Sequence, residues 1–132
     1  MSDSQIADAV LTVNNDVIGY VPNSLMFTEG LGEQKVLPVS EGDGRVSQTF
    51  ANDLETAFGR VSFSIRTTVK NVERAREWKQ NANRNVITVT GTDPNGGDFT
   101  RSFTQMAVTA DYEVQIQAEG TIELEFMGNA PI

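Results

Sequence analysis

Residues 61–66 read Val-Ser-Phe-Ser-Ile-Arg. Val61, Phe63 and Ile65 fall on one side of an extended chain, and Ser62, Ser64 and Arg66 on the other, because successive side chains in a strand point to opposite faces. The same period returns at Ile122, Leu124 and Phe126, which alternate with Glu123 and Glu125. It also runs through Tyr112, Val114 and Ile116 against Glu113, Gln115 and Gln117. One apolar and one polar face per strand is what antiparallel sheets with a solvated side require. Residues 86–90 (Val-Ile-Thr-Val-Thr) are β-branched throughout, which favours another strand. Shorter extended runs are expected at Val10–Val13, Val17–Val21, Lys35–Val39, Val46–Phe50 and Phe99–Thr104.

Turn chemistry separates these runs. Glu41-Gly42-Asp43-Gly44 and Asp93-Pro94-Asn95-Gly96-Gly97-Asp98 read as hairpin tips. Glu119-Gly120 predicts a tight hairpin joining the last two strands, and Pro22–Gly32 a longer irregular connection. The period changes once. Val72, Ala75, Trp78 and Ala82 are spaced three, three and four, which makes one face of a helix over about 71–82. Asn71 is the expected N-cap, and Trp78, the single tryptophan, the expected anchor on the sheet. The fold class expected is mainly β, an antiparallel β-sandwich or half-barrel with one flanking α-helix. A chain of 132 residues without a linker or repeat is expected to be a single domain, 1–132.

Composition excludes several chemistries. There is no Cys, hence no disulfide and no thiolate metal site. There is no His, which removes the commonest general base and metal ligand and the usual nucleophilic triads. No apolar run reaches the roughly 20 residues that span a bilayer. The start Met1-Ser2-Asp3-Ser4 lacks a basic region, so no secretory signal is expected. Two carboxylate pairs, Asp111 with Glu113 and Glu123 with Glu125, sit at i, i+2 on expected strands and read as a solvated sheet face rather than a catalytic pair. The Asp93–Asp98 run lacks the twelfth-position Glu of a calcium loop, since that position is Thr104. Gly30 and Gly32 are followed by Lys35 where a dinucleotide fingerprint needs its third glycine. No cofactor, metal or catalytic residue is expected, and the chain is not expected to be an enzyme.

The charge map is uneven. The net charge is -8, from 10 Lys and Arg against 18 Asp and Glu, which disfavours holding nucleic acid. Yet Arg60, Arg66, Lys70, Arg74, Arg76, Lys79 and Arg84 crowd one stretch with only Glu73 and Glu77 among them. After Met106 there is no Lys or Arg, while Asp111, Glu113, Glu119, Glu123 and Glu125 follow. Three readings stay open: a solvated face with a charged helix, head-to-tail self-association of basic and acidic surfaces, and a channel wall that repels polyanions.

Several segments, in order, resemble the phage tail tube proteins. They are Val13-Asn14-Asn15-Asp16-Val17-Ile18, Tyr20-Val21-Pro22-Asn23-Ser24-Leu25, the glycine-punctuated 29–33 and 41–44, and Phe50-Ala51-Asn52-Asp53-Leu54-Glu55. The passage from Phe63 through Asn71 to Trp78 and the closing Glu123-Leu124-Glu125-Phe126 with Gly128 complete the resemblance. It implies subunits that form hexameric rings, joined through a continuous inner β-barrel and stacked into a hollow tube for genome delivery. It implies self-association as the main partnership, with tape measure, baseplate and tail-terminating proteins, and a sheath if the tail contracts. DNA would pass without specific binding, no membrane would be entered, and the protein would reside in a virion tail assembled in the bacterial cytoplasm. Related secretion-system tube proteins share the fold.

On this reading Glu113, Gln115, Gln117, Glu123 and Glu125 are expected to face an acidic lumen, since they share a strand face without basic neighbours. Gly42, Asp43 and Gly44, with Phe50, Leu54 and Phe58, are expected to mediate ring stacking, the three apolar residues looking out of place in a free loop. The alternatives are a β-sandwich binding module, for which exposed aromatics would be needed, and a small carboxylate-dependent hydrolase.

Overall fold

Most of the alternating runs pair as sequence periodicity requires, and one does not. In the computed structural model, which describes residues 6, 9–40, 46–53 and 58–131, nine strands and one helix follow in chain order, with no side chains described for the fourth and fifth strands. They are β1 (Ala9–Val13), β2 (Asp16–Ile18), β3 (Met26–Thr28), β4 (Glu33–Ser40), β5 (Val46–Asp53), β6 (Gly59–Arg66), α1 (Val69–Gln80), β7 (Asn85–Thr92), β8 (Asp98–Val108) and β9 (Thr121–Gly128). Seven strands form one antiparallel sheet in the order β2-β1-β7-β8-β9-β6-β3. β4 and β5 form a two-stranded sheet of their own. The sheet is not closed, so the architecture is a half-barrel with one helix.

The inward residues make one core. β6 contributes Val61, Phe63 and Ile65, β9 Ile122, Leu124 and Phe126, β7 Ile87 and Val89, and β1 Leu11 and Val13, all buried. Helix α1 lays Ala75 and Trp78 on this core. The Trp78 ring meets Phe63 edge-on at 6.2 Å and Phe126 at 5.9 Å between centroids, and Phe63 stacks on Phe126 at 5.7 Å. Edge-to-face and offset contacts of this kind add to the burial of apolar area.

The helix begins at Val69, two residues before the expected start, and its N-cap is Thr68 rather than Asn71. Thr68 is extended, and its hydroxyl accepts from the Asn71 N–H at 3.1 Å. Asn71 instead donates from its side chain to the Arg66 carbonyl at 2.9 Å, fixing the turn out of β6. Ala82 lies past the helix, exposed, at φ 54°, so the apolar face ends at Trp78. The Pro22–Gly32 connection contains β3, which pairs with β6 through Met26–Ser62 and Thr28–Arg60.

The largest departure lies between Val108 and Thr121. Tyr112–Gln117 is not a strand, and Glu119-Gly120 does not close a tight hairpin between two strands. β8 pairs with β9 only at Ala107–Met127 and Val108–Phe126, and residues 109–120 form an irregular connection. Tyr112 and Val114 still pack against the core, so their apolar character is satisfied without a ladder.

Asn85, fully buried, ties three elements together. Its amide donates to the Trp78 carbonyl at 2.9 Å, the Met106 carbonyl at 3.1 Å and the Ala82 carbonyl at 3.3 Å. Its carbonyl oxygen accepts from the Asn14 and Asn81 side chains at 3.0 and 3.3 Å. Replacing it by Ala strands these groups in the core, where an unmet partner is expensive. Asn85→Ala is expected to lower stability by about 3 kcal/mol, read as a drop in the urea midpoint without a change in the slope.

Candidate functional site: the charged sheet face and the free hairpin

Three surfaces stand out. The first is the outer face of β6 and β9. Glu123 and Glu125 are exposed there, opposite Ser64 and Ser62 of β6. Asp111 joins them, lining one hollow with Ser62, Ser64, Glu123 and Glu125. Glu113 and Gln115 line a neighbouring hollow of about 290 Å³ with Asp111 and Glu123. Two strands and an irregular segment therefore bring Glu113, Gln115, Glu123 and Glu125 to one region. Gln117 lies apart, at the start of the turn that leads to Gly120. The face also has basic neighbours: Arg60 and Arg66 are exposed on β6, and Arg60 lines a hollow with Glu125. Charge on this surface is mixed, with carboxylates in excess.

The second surface is the outer face of β1, β2, β7 and the first half of β8. Register places Val10 beside Thr90, Thr12 beside Val17 and Thr88, Thr88 beside Ser102, and Thr90 beside Thr100. Val10, Val17 and Val86 are 52%, 70% and 42% exposed. The exposed Asp98, opposite Thr92, puts one carboxylate at the margin of this set, which is otherwise uncharged, and the Thr88 and Ser102 hydroxyls lie 3.2 Å apart. Period-two reading found the buried half of these strands. The scarcity of charge on their solvent half is legible in Val86-Ile87-Thr88-Val89-Thr90, where the outward Val86, Thr88 and Thr90 are all uncharged.

The third is the β4–β5 hairpin. Its eight registered pairs run from Glu33–Asp53 to Ser40–Val46. At about 3.3 Å per residue it is an arm of roughly 25 Å. It leaves the sheet between β3 and β6, which are themselves paired. Gly30 stands at its base with φ 75°, against the backbone of Phe58 and Gly59, where a Cβ would come within 2.7 Å of Gly59 N. Of the expected stacking residues, Gly42, Asp43, Gly44 and Leu54 lie outside the described residues. Phe50 is paired with Val36 in the hairpin. Phe58 is 42% exposed where the hairpin rejoins the sheet.

Elsewhere the chemistry is sparse. Glu29 and Arg101 form an ion pair at 3.0 Å, with Arg101 also 5.8 Å over the Phe99 ring. They rim an open groove lined by Tyr20, Leu25, Phe27 and Phe99. Among the described residues no group of three or more Asp and Glu is placed to hold a metal ion, and no helix is long and apolar enough to cross a membrane. The Asp93–Asp98 run is the β7–β8 turn, with Asp93 Oδ1 accepting from the Asn95 and Gly97 N–H groups at 2.7 and 3.1 Å.

Comparison with family models and with curated protein sequences gives no match. Among solved structures, the fold is similar to a chain of the PVC sheath-tube complex, an extracellular contractile injection system seen in its extended state by cryo-electron microscopy. The TM-score is 0.65 over 98% of this chain and 90% of that one, at 12% identity. The likeness is one of fold.

Burial separates the aromatic residues by role. Phe126→Ala is expected to cost about 3–5 kcal/mol. Phe58→Ser is expected to stay within about 1 kcal/mol of wild type. Urea denaturation of the two variants checks the contrast.

Proposed function

We propose that this chain is the structural subunit of a tail-like tube, with hexameric rings stacking into a hollow conduit. The observation that carries the reading is the free β4–β5 hairpin. A two-stranded sheet on its own is marginally stable in water and needs a third strand or a packing surface. Among the described residues no further strand pairs with either edge of this arm or with the outer edges of β2 and β3. Pairing with neighbouring copies removes such edges, and closure into a ring removes them all. The fold likeness to a sheath-tube component supports the same role.

In this arrangement the carboxylate-rich face, with Glu113, Gln115, Glu123 and Glu125, and with Gln117 at its margin, turns to the lumen. Carboxylates there would keep a polyanion from adhering, whereas each Lys or Arg contact to phosphate would hold it. The largely uncharged face of β1, β7 and β8, with Asp98 at its margin, is the proposed contact for a sheath. Gly42, Asp43, Gly44, Phe50, Leu54 and Phe58 are the proposed stacking contacts between rings. Tape measure, baseplate and tail-terminating proteins are the further proposed partners, and a virion tail assembled in the bacterial cytoplasm the proposed setting. An injection-system or secretion tube is the second reading, favoured by the identity of the structural neighbour.

Electron microscopy of the negatively stained protein at high concentration is expected to show six-fold rings or short tubes. A uniform monomer, even with a tail template supplied, would refute the tube. Deleting Gly42–Gly44 is expected to leave rings that do not elongate. The lumen assignment has its own check, because the chain contains no Cys. In Glu125→Cys tubes a small maleimide is expected to label fully and a maleimide on a large carrier only in free subunits. Equal labelling by the large reagent in both forms would place Glu125 outside.

A further inference from the structure

The segment after β8 has the sequence and side-chain alternation of a strand without its hydrogen bonds. Asp111, Glu113 and Gln115 are exposed, while Tyr112 and Val114 turn towards the core. Beside it runs β9. One edge of β9 is filled by β6 along eight pairs, but the other is paired to β8 only at Met127 and Phe126. Two looser bonds span the remainder. The Thr109 N–H donates to the Glu125 carbonyl at 3.3 Å, and the Thr121 N–H to Gln115 Oε1 at 3.2 Å. In an antiparallel strand the N–H and C=O of one residue point to the same side, and every second residue repeats the direction. Glu123, between Thr121 and Glu125, therefore aims both groups into this gap.

Extending the Ala107–Met127 and Val108–Phe126 register by three residues brings Asp111 opposite Glu123. The two would exchange both backbone bonds, with their side chains on one face. Directly opposed like charges destabilise a ladder. Asp111 also turns Oδ1 to its own neighbour, accepting from the Tyr112 N–H at 3.0 Å, a local bond that competes with pairing. The chain thus leaves β9 just before the carboxylates would meet. Asp111 and Glu123 line the same two hollows on either side of the gap, with no Lys or Arg among the lining residues of either.

We propose that residues 109–113 are a strand held off the edge of β9 by repulsion between Asp111 and Glu123, a strap that closes when that repulsion is removed. The strap is a property of the single chain and stands whether or not the chain builds tubes. A cationic side chain delivered to this hollow by a bound partner would close it, lengthening β8 along β9.

Amide hydrogen exchange on the full chain tests the strap. Glu123→Lys is expected to raise the protection factor of the Asp111 amide at least tenfold over wild type, and Glu123→Gln to raise it by less. Glu119→Lys carries the same charge change on an exposed turn residue and is expected to leave that amide unaltered. Unchanged protection at Phe63 and Val89 verifies that each variant is folded. The proposal is overturned if Glu123→Lys leaves the Asp111 amide as fast as in wild type. It is equally overturned if Glu119→Lys slows that amide as much, or if the wild-type amide is already as protected as that of Leu124.

Discussion

β8 changes face in mid-strand, and the rest of the fold hangs on that change. Phe103 and Met106 are both fully buried although three residues apart, which a regular strand forbids. The register against β7 shifts there, with Ile87 opposite Phe103 and Asn85 opposite Met106, and Gln105 sits at φ 53°. A bulge of this kind bends a strand and sharpens its twist. The first half of β8 therefore lies in the β7–β1–β2 part of the sheet, and the second half turns towards β9, β6 and β3. One sheet becomes two leaves around one core. Asn85 grips the Met106 carbonyl from one side, and the Asn129 N–H takes the Thr104 carbonyl at 3.1 Å from the other. Without these two bonds the bend would leave buried backbone groups unmet.

What periodicity could read, it read well. Strands with a clean apolar face, such as Val61–Ile65 and Ile122–Phe126, lie where alternation places them, because a one-residue slip would turn the whole apolar set outwards. Periodicity also puts Tyr112 and Val114 inwards, which is correct, but it carries no information about whether an extended chain finds a hydrogen-bonding partner. The bulge in β8 was invisible for a related reason. Phe103 and Met106 look like unrelated members of an irregular run until their common burial is known. Asn85 gave no signal at all, since a lone Asn beside Asn83 reads as turn chemistry. The N-cap moved from Asn71 to Thr68 because several polar residues near a helix start can each cap it, and tertiary geometry chooses.

The charge pattern after Met106 changes meaning once placed in space. Its basic counterpart is not across the molecule. The Thr67 N–H bonds the Gly120 carbonyl at 3.0 Å, and Lys79 Nζ bonds the Val108 carbonyl at 2.8 Å, so α1 runs alongside the 109–120 connection from end to end. Arg60 and Arg66 share the outer face with Glu123 and Glu125. The sharper contrast is between the two outer faces of the half-barrel, one rich in carboxylates and one uncharged apart from Asp98 at its margin.

An open sheet with a two-stranded arm of its own leaves strand edges to be managed. The chain blunts them only in part, with Lys35 and Pro38 on β4 and Asp16 on β2. β2 and β3 are short, but Val17 and Met26 on them are 70% and 67% exposed, and no lysine guards either strand. An exposed Val–Thr face next to such an edge invites association, while a net charge of -8 resists indiscriminate aggregation. In the proposed tube, association would be confined to places where strand edges and largely uncharged surface coincide. Such a restriction would leave a small set of directional contacts between copies, and repeated directional contacts are what a ring, and a stack of rings, requires.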